Sequence, residues 1–277
     1  MGNRIRRLMG IVNGTTNFIL TKMTREGREF GDVLREAQAL GYAEADPSAD
    51  VDGYDAAYKL AILAAIAFGH RVQVHQVMRE GIRGVSATDI EYAKELGYTI
   101  KLLAIASERG GDMEMRVAPA FIRDEHPLAS VSDAFNAIFV EGDAVGPVMF
   151  YGRGAGAGPT ASAVVGDIIE IARNLKSGST GRVPCLCDDD ARVKRFEDYE
   201  ARWYLRMDVA DKPGVIAKIA GILGDNKVSI ASVVQKNTLG KHAEIVWITH
   251  TVKQQADRKS TRLNSSHIQK SRMPSSA

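Results

Sequence analysis

The spacing of hydrophobic and polar residues changes period several times along the chain, and each change predicts a boundary between elements. An apolar run over 5–12 predicts a strand, and the polar turn after it offers Asn13 or Thr15 as the cap of a helix. Helical spacing follows over 30–41 and again over 53–69. The second of these helices is apolar on almost every side, which predicts that it is buried.

The middle of the chain favours strands joined by tight turns, followed by a glycine-rich loop and a helix. The predicted elements are a short helix at 90–96, strands at 100–107 and 113–119 joined at Gly110-Gly111, two strands within 135–152, and a helix from Thr160 to about Asn174. Together with the N-terminal elements they predict an α+β domain over 1–176, in which a mixed sheet is covered by helices.

A second, smaller unit is predicted beyond a polar segment. Residues 177–200 are charged and contain Gly, Ser and Pro, the composition of a linker. Residues 201–256 predict strand, helix, strand and strand, with Asp211 able to cap the helix. A β-α-β-β unit is half of a ferredoxin-like fold.

The last segment, 257–277, has neither helical nor strand periodicity and is rich in Ser, Arg and Lys. One interpretation is a disordered tail. A sharper one is that DRKSTRLNSSH resembles the translation of a sequencing-library adapter, which would make the segment non-native and irrelevant to the fold.

Composition narrows the function classes. The 277 residues are 45% hydrophobic, and 36 basic residues face 34 acidic ones, so neither nucleic acid nor a membrane surface is an expected partner. Cys185 and Cys187 form one C-x-C without a second pair of metal-ligating residues nearby, so no metal site is predicted. No apolar run approaches a membrane span and no signal peptide is evident, so a cytoplasmic protein is expected.

The most unusual stretch is a run of acidic residues that leads into the apolar helix. Its members are Glu44, Asp46, Asp50, Asp52 and Asp55, and the helix then carries Lys59. Asp55 and Lys59 are four residues apart, so they share one helix face and can form an ion pair. The pair could be an internal salt bridge that only stabilises the fold, since a buried ammonium needs a partner.

The alternative interpretation is a binding site for a small molecule. Carboxylates gathered on a loop suit a substrate that bears an ammonium group, and a lysine beside them can transfer a proton at a carbonyl or hydroxyl. An amino acid with a reducible side chain would satisfy both groups.

Three segments resemble one enzyme family. The signature of homoserine dehydrogenases is similar, without a gap, to AQALGYAEADPSADVDGYDAAYK (37–59). Two further family segments are similar to GIVNGTTNFIL (10–20) and GRGAGAGPTASAVVGDI (152–168). The resemblance runs over 1 to about 175, and the smaller unit resembles an ACT domain, an amino-acid-sensing module often attached to this enzyme.

The resemblance implies reduction of aspartate 4-semialdehyde to homoserine by NADPH or NADH, on the route to threonine, methionine and isoleucine. By the same resemblance Lys59 would be the general acid and Asp55 its orienting partner, while Glu44 and Asp50 would bind the substrate. Thr15 would face the substrate as well. Asp46 and Asp52 are assigned to the structure of the loop.

The glycine-rich loop has two interpretations. Beside the signature, Gly154 and Gly156 would let the backbone approach the nicotinamide end of the cofactor, with amide donors from the helix near Thr160. By itself the loop is equally consistent with a tight turn into a helix.

The sequence departs from the family at its start, because no G-x-G-x-x-G strand-helix unit appears there. NADP or NAD would therefore be bound mostly by an N-terminal domain missing from this chain. We expect a fragment that is inactive alone, with an amino-acid effector at the ACT unit and a homodimer formed through the sheet. The alternative is an amino-acid-binding regulator in which the ACT unit is the working part.

Overall fold

The fold class predicted from the sequence, α+β with a mixed sheet and a partial ferredoxin-like unit, is confirmed. The computed structural model of the protein describes residues 2–179, 189–239, 242–254 and 270–276. Cys185 and Cys187 lie outside the described residues, and within the described ranges no group of three or more His, Cys, Asp or Glu side chains could hold a metal ion.

The first unit alternates helices with strands and then forms two hairpins. Its elements are β1 (Ile5–Ile11), α1 (Gly14–Glu26), α2 (Phe30–Ala39), α3 (Ser48–Val51), α4 (Tyr54–Phe68), β2 (His70–Arg71), β3 (Met78–Arg79), α5 (Ala87–Glu95), β4 (Tyr98–Arg109), β5 (Asp112–Arg123), β6 (Phe135–Gly142), β7 (Gly146–Arg153) and α6 (Ala157–Ser177). The acidic run, predicted to be a continuous loop, contains the short helix α3. Gly53, with φ of 78°, makes the left-handed turn from α3 into α4 that a residue with a Cβ would resist.

The sheet of the first unit has the order β3-β5-β4-β1-β6-β7, antiparallel except that β3 and β5 are parallel. The β4–β5 hairpin is in register from Tyr98 opposite Arg123 to Arg109 opposite Asp112, and it turns at Gly110-Gly111 as predicted. Because strand side chains alternate between faces, Leu8 packs in the helix-covered core and Met9 in the core on the opposite face.

The second unit follows the predicted order of strand, helix, strand and strand. Its elements, preceded by β8 (Asp189–Asp190), are β9 (Glu200–Ala210), α7 (Val215–Asp225), β10 (Ile230–Leu239), β11 (His242–Thr249), β12 (Val252–Lys253) and β13 (Lys270–Ser276). The helix begins after Gly214 rather than with a cap from Asp211. One face of β9 and β11 packs against α7 through Trp203, Trp247 and Leu223.

The segment predicted to be a linker is partly built into the first unit. The amide of Met113 donates to the carbonyl of Arg192 (2.8 Å), and the amide of Lys194 donates to the carbonyl of Met113 (2.9 Å). Ala191 is buried. Polar composition suggested a free connection, but backbone pairing along β5 does not depend on side-chain polarity.

The two units meet at a partly buried ionic network. The Arg206 guanidinium on β9 contacts Asp89 of α5 (2.8 Å) and Glu244 of β11 (2.7 Å). The Tyr204 hydroxyl donates to Asp89 (3.0 Å), and the Tyr92 hydroxyl donates to Glu244 (2.8 Å). Burial raises the pKa of both phenols, so both remain protonated donors. Buried charges on both units are thus compensated by each other.

Two helices carry apolar side chains that no described residue covers. On α4 the exposed positions Tyr58, Ile62 and Ile66 form a stripe, so the prediction that this helix is buried all round is wrong for one face. Along α6 no described residue is buried, and the exposed apolar residues are Val164, Val165, Ile168, Ile169, Ile171 and Leu175. None of the described helices combines the length and apolar character that crossing a bilayer requires.

The C-terminal segment, expected to be without regular structure, contains β13. This strand pairs antiparallel with β9 and, at Ser275 and Ser276, parallel with β5. Pro274 within it has no N–H to donate to a neighbouring strand. Residues 255–269 lie outside the described residues.

We expect deletion of residues 257–277 to leave the thermal midpoint of unfolding unchanged, because the segment offers no apolar face and its strand contains a proline. Calorimetry of the full and shortened chains measures the difference. A drop of several degrees in the shortened chain would instead show that β13 holds β9 against β5.

Candidate active site

Asn13 lies where β1 ends and α1 begins, and it is buried. Its Oδ1 accepts hydrogen bonds from the amide and the hydroxyl of Thr16, both at 2.9 Å. Of the two predicted caps of α1, Asn13 is therefore the one used. The cap fixes the Asn13 side chain, since its oxygen is committed to the helix and its nitrogen must face outward.

The amide nitrogen of Asn13 joins two carboxylates of the acidic stretch. It donates to Asp50 Oδ1 (2.6 Å) and to Asp55 Oδ2 (2.9 Å). Two like charges near one another repel, so a shared donor is what permits them to lie side by side. Sequence reasoning identified Asn13 only as a cap, because nothing local signals contacts with residues so far along the chain.

Lys59 completes this group, which we call the Asn13 cluster (Asn13, Asp50, Asp55 and Lys59). Its ammonium pairs with Asp55 Oδ2 (2.7 Å) and donates to the carbonyl of Val12 (3.0 Å). The Lys59 side chain is 47% exposed, so the expectation of a buried cation is wrong. The ammonium is held in place on one side and remains accessible from the other.

The other two acids of the stretch serve the loop. The Asp46 carboxylate accepts from Ser48, at 3.1 Å from its amide, and that contact lowers the pKa of Asp46. Asp52 pairs with Arg83 (2.6 Å). Both contacts agree with the structural role assigned to these residues, and they leave Asp50 as the loop carboxylate in the Asn13 cluster.

Two predicted substrate residues are not brought into the cluster. The Thr15 hydroxyl donates to the carbonyl of Tyr42 (2.8 Å), which anchors the turn after α2. Glu44 is exposed, and its carboxylate makes no hydrogen bond with any described residue.

The glycine-rich loop opens at the same edge of the sheet as Asn13. β1 ends opposite the start of β6, with Ile11 paired to Ala137, and β6 pairs Asn136 with Gly152 near the end of β7. Adjacent strands are about 4.8 Å apart, so the chain leaving β7 is roughly 10 Å from the chain leaving β1. Register alone therefore brings the loop and the Asn13 cluster together.

Two glycines of this loop have different reasons to lack a side chain. Gly156, with φ of 112°, occupies a backbone conformation that side-chain-bearing residues rarely adopt, directly before α6. Gly154 lies against Asn136, where a Cβ would come within 2.1 Å of the amide nitrogen. Asn136 Oδ1 is buried and has no hydrogen-bond partner among the described residues. An acceptor beside an open glycine loop is available to a ligand.

A second lysine, Lys101, forms hydrogen bonds in the protein interior at the same edge of the sheet. Lys101 is buried, and its ammonium donates to Asn17 Oδ1 (3.0 Å) and the carbonyl of Val131 (2.6 Å). Burial lowers the pKa of Lys101 to about 8. Asn17 in turn donates to the carbonyls of Val131 and Phe135. These bonds fix the chain that leads into Asn136.

Comparison with known proteins identifies relatives over nearly the whole chain. The family model described as homoserine dehydrogenase matches residues 1–169, and the model of the ACT domain matches residues 203–260. The homoserine dehydrogenase of Synechocystis sp. is 51% identical over 262 residues, which are 91% of this chain and 60% of that protein. That of Bacillus subtilis is 44% identical, over 90% of this chain and 58% of that protein.

Solved structures give the same result. A homoserine dehydrogenase from Thiobacillus denitrificans matches with a TM-score of 0.92 and 42% identity, covering 99% of this chain and 64% of that one. A hyperthermophilic archaeal homoserine dehydrogenase in complex with NADPH matches with a TM-score of 0.53 and 34% identity, covering 62% of this chain and 49% of that one. The chain thus spans about three fifths of the length of the curated relatives it matches.

We expect Asn13→Asp to keep the cap of α1, because aspartate caps helices as well as asparagine does, but to lose the donor shared by Asp50 and Asp55. A third carboxylate should then reduce the free energy of unfolding by about 1–3 kcal/mol at about pH 7, and by less at about pH 4.5, where carboxylates begin to protonate. Urea unfolding at both pH values measures this.

Asn13→Ser is the matched control, since serine also caps but adds no charge. Equal stability of the two variants at both pH values would show that a negative charge at position 13 does not repel the carboxylates of Asp50 and Asp55.

Proposed function

The chain belongs to the homoserine dehydrogenase family, and from that premise we propose that it carries the substrate site of an enzyme that reduces aspartate 4-semialdehyde to homoserine with NADPH or NADH. The reaction lies on the route to threonine, methionine and isoleucine. The observation that supports this function most directly is the Asn13 cluster, in which an accessible ammonium and two carboxylates are held in fixed relation.

The roles follow from the charges. When bound, the nicotinamide cofactor supplies a hydride to the aldehyde carbon of the substrate. The oxygen of that carbonyl gains negative charge, and Lys59 Nζ is the group able to give it a proton. Asp55 and the carbonyl of Val12 hold the ammonium in position. Asp50, whose second oxygen makes no hydrogen bond with any described residue, binds the substrate's ammonium, with Glu44 and Thr15 at the border of the site.

The glycine-rich loop suits the nicotinamide end of the cofactor. Asn136 Oδ1 is a buried acceptor without a partner among the described residues, and it lies beside Gly154. A carboxamide has the N–H that would satisfy it. The left-handed backbone at Gly156 and the start of α6 leave space and amide donors at the same edge. The residues present therefore fit the cofactor, with Gly154 and Gly156 in the role expected from the sequence.

The rest of the dinucleotide site belongs, in this proposal, to the part of the relatives' length that the matched residues do not span. The exposed apolar residues of α6 and the stripe at Tyr58, Ile62 and Ile66 on α4 are surfaces of the kind that a further domain covers. We infer that a dinucleotide-binding region, from the part of the relatives that these residues do not span, packs there and that these residues alone lack activity. Homoserine dehydrogenase activity can be assayed for the chain alone and for the chain joined to the N-terminal region of a relative, and we expect activity only in the joined protein.

The match to an ACT domain over 203–260 supports an amino-acid effector for the second unit. We propose it as a regulator of the enzyme rather than as the function of the whole protein. The reason is that the Asn13 cluster lies wholly in the first unit, to which the second is tied through Arg206 and Asp89.

Lys59→Ala, made in the chain joined to the N-terminal region of a relative, should lower turnover by about 100-fold to 10,000-fold. Stability should change little, because an exposed ion pair contributes only about 0.2–1 kcal/mol. Steady-state rates and a melting curve on one preparation measure both quantities.

Lys22→Ala is the control, since Lys22 forms an ion pair of the same spacing with Glu26 on α1, away from the cluster. Lys22→Ala should leave turnover unchanged. Wild-type turnover in Lys59→Ala would remove the catalytic role and leave the cluster as a binding feature.

A homodimer through the sheet is the expected assembly. β7 ends the sheet of the first unit, and its side chains Phe150 and Tyr151 are exposed together with Val145 before it. An edge strand with exposed apolar side chains favours pairing with a second copy. We expect sedimentation at micromolar concentration to give a dimer, and Phe150→Arg to weaken it. Leu175→Arg on α6 should not. A wild-type chain that sediments as a monomer would contradict the assembly.

A further inference from the structure

A cavity of about 270 Å³ lies between the sheet of the first unit and β9 of the second. We call it the junction cavity. Charged residues from both units line it: Arg7, Glu114 and Arg116 from the first, and Glu200 and Arg202 from the second. It is separate from the Asn13 cluster, none of whose members lines it.

Arg116 is the unusual member of this lining. It is only 8% exposed, yet its Nε is buried without a hydrogen-bond partner, and its guanidinium forms no ion pair with any described residue. Burial, with the nearby charge of Arg7, lowers the pKa of Arg116 to about 10. A buried guanidinium without an anion is costly. Such a group inside a cavity indicates that an anion is part of the complete site.

The neighbouring carboxylates are not available for that purpose. Glu114, the nearest in sequence, is paired with Lys194 at 2.8 Å. Glu141 lies 3.9 Å from Arg7 and does not line the cavity. Glu200, at the start of β9, is exposed. Among the described residues, the buried positive charge of Arg116 therefore has no counterion of its own.

We propose that the junction cavity binds a small monocarboxylate, with the carboxylate group on the Arg116 guanidinium. Carboxylates match the planar fork of arginine and can accept two parallel hydrogen bonds from it. Three arginines and two glutamates line the cavity, so one negative charge balances the lining. At about 30 Å³ for each water-sized group, the volume holds a ligand of up to roughly nine heavy atoms.

Such a ligand would bridge the two units. Arg116 belongs to β5 and Arg202 to β9. Next to the cavity, the Met115 amide donates a hydrogen bond to the Tyr199 hydroxyl (3.0 Å), which already links β5 to the segment that leads into β9. A molecule bound only by the docked arrangement stabilises that arrangement. Occupancy of the junction cavity would thus strengthen the contact between the unit with the Asn13 cluster and the ACT unit.

Titration of the chain with acetate, lactate and butyrate tests the site, against sodium chloride at matched ionic strength. We expect at least one of the three to raise the thermal midpoint saturably and to give a binding isotherm by calorimetry. No saturable effect with any of them overturns the proposal. Inorganic phosphate binding as tightly as the best carboxylate would overturn the choice of ligand class.

Arg116→Met keeps the length and apolar stem of the side chain but removes its charge. We expect it to weaken carboxylate binding at least tenfold, while its thermal midpoint without ligand is not lower than that of wild type, because an uncompensated buried charge is removed. Arg123→Met, at the exposed end of the same strand, is the control and should bind as wild type does.

Undiminished binding by Arg116→Met overturns the proposal. Should that variant fail to fold, Arg202→Met on the opposite wall replaces it, with weaker binding expected for the same reason. A second copy of the chain could instead fill the cavity with one of its side chains. Carboxylate binding would then be lost at protein concentrations where the dimer forms, and that result would count against a small ligand.

Discussion

The candidate site depends on one constraint: two carboxylates must lie side by side next to an accessible ammonium. Asp50 and Asp55 come from different elements, and without compensation their charges would drive them apart. The Asn13 amide donates to both, and Lys59 neutralises one of them. Asn13 is itself fixed because its oxygen caps α1. The start of α1, the acidic loop and, through Asp55, the Lys59 ammonium are therefore linked by the single side chain of Asn13.

The contact between the two units shows the opposite outcomes of burying an arginine. Arg206 is surrounded by Asp89 and Glu244, and two tyrosines donate to these carboxylates, so the charge is compensated inside the protein. Arg116, on β5, has no such partner among the described residues. The first arginine fixes the relative position of the units. The second leaves a charge that a small anion can balance, which makes the junction between the units responsive to its surroundings.

Predictions of burial from the sequence were less accurate than predictions of secondary structure, because burial depends on the neighbours of each element. Two apolar runs on either side of a Gly-Gly turn predicted the β4–β5 hairpin correctly, since these signals act within the hairpin itself. The apolar character of α4 correctly indicated packing for Leu60 and Ala64, but it could not show that Ile62 and Ile66 face outward. Burial of Lys59 was inferred from the same helix and failed for the same reason. An apolar helix sequence indicates that the helix packs against other residues, but it does not show which residues those are or which face they contact.

The sequence by itself determined the fold class, the starts of α1, α2 and α4, the hairpin turn and the family, because periodicity, capping and ordered motifs are local signals that survive without coordinates. It also gave the ion pair of Asp55 and Lys59, whose spacing of one helical turn is a local property. Only the tertiary structure joined Asn13 to carboxylates 37 and 42 residues away, and Arg206 to Asp89 at 117 residues. Such contacts depend on strand register and on how the loops return to the sheet. These are set by the packing of the whole molecule, so no local pattern in the sequence encodes them.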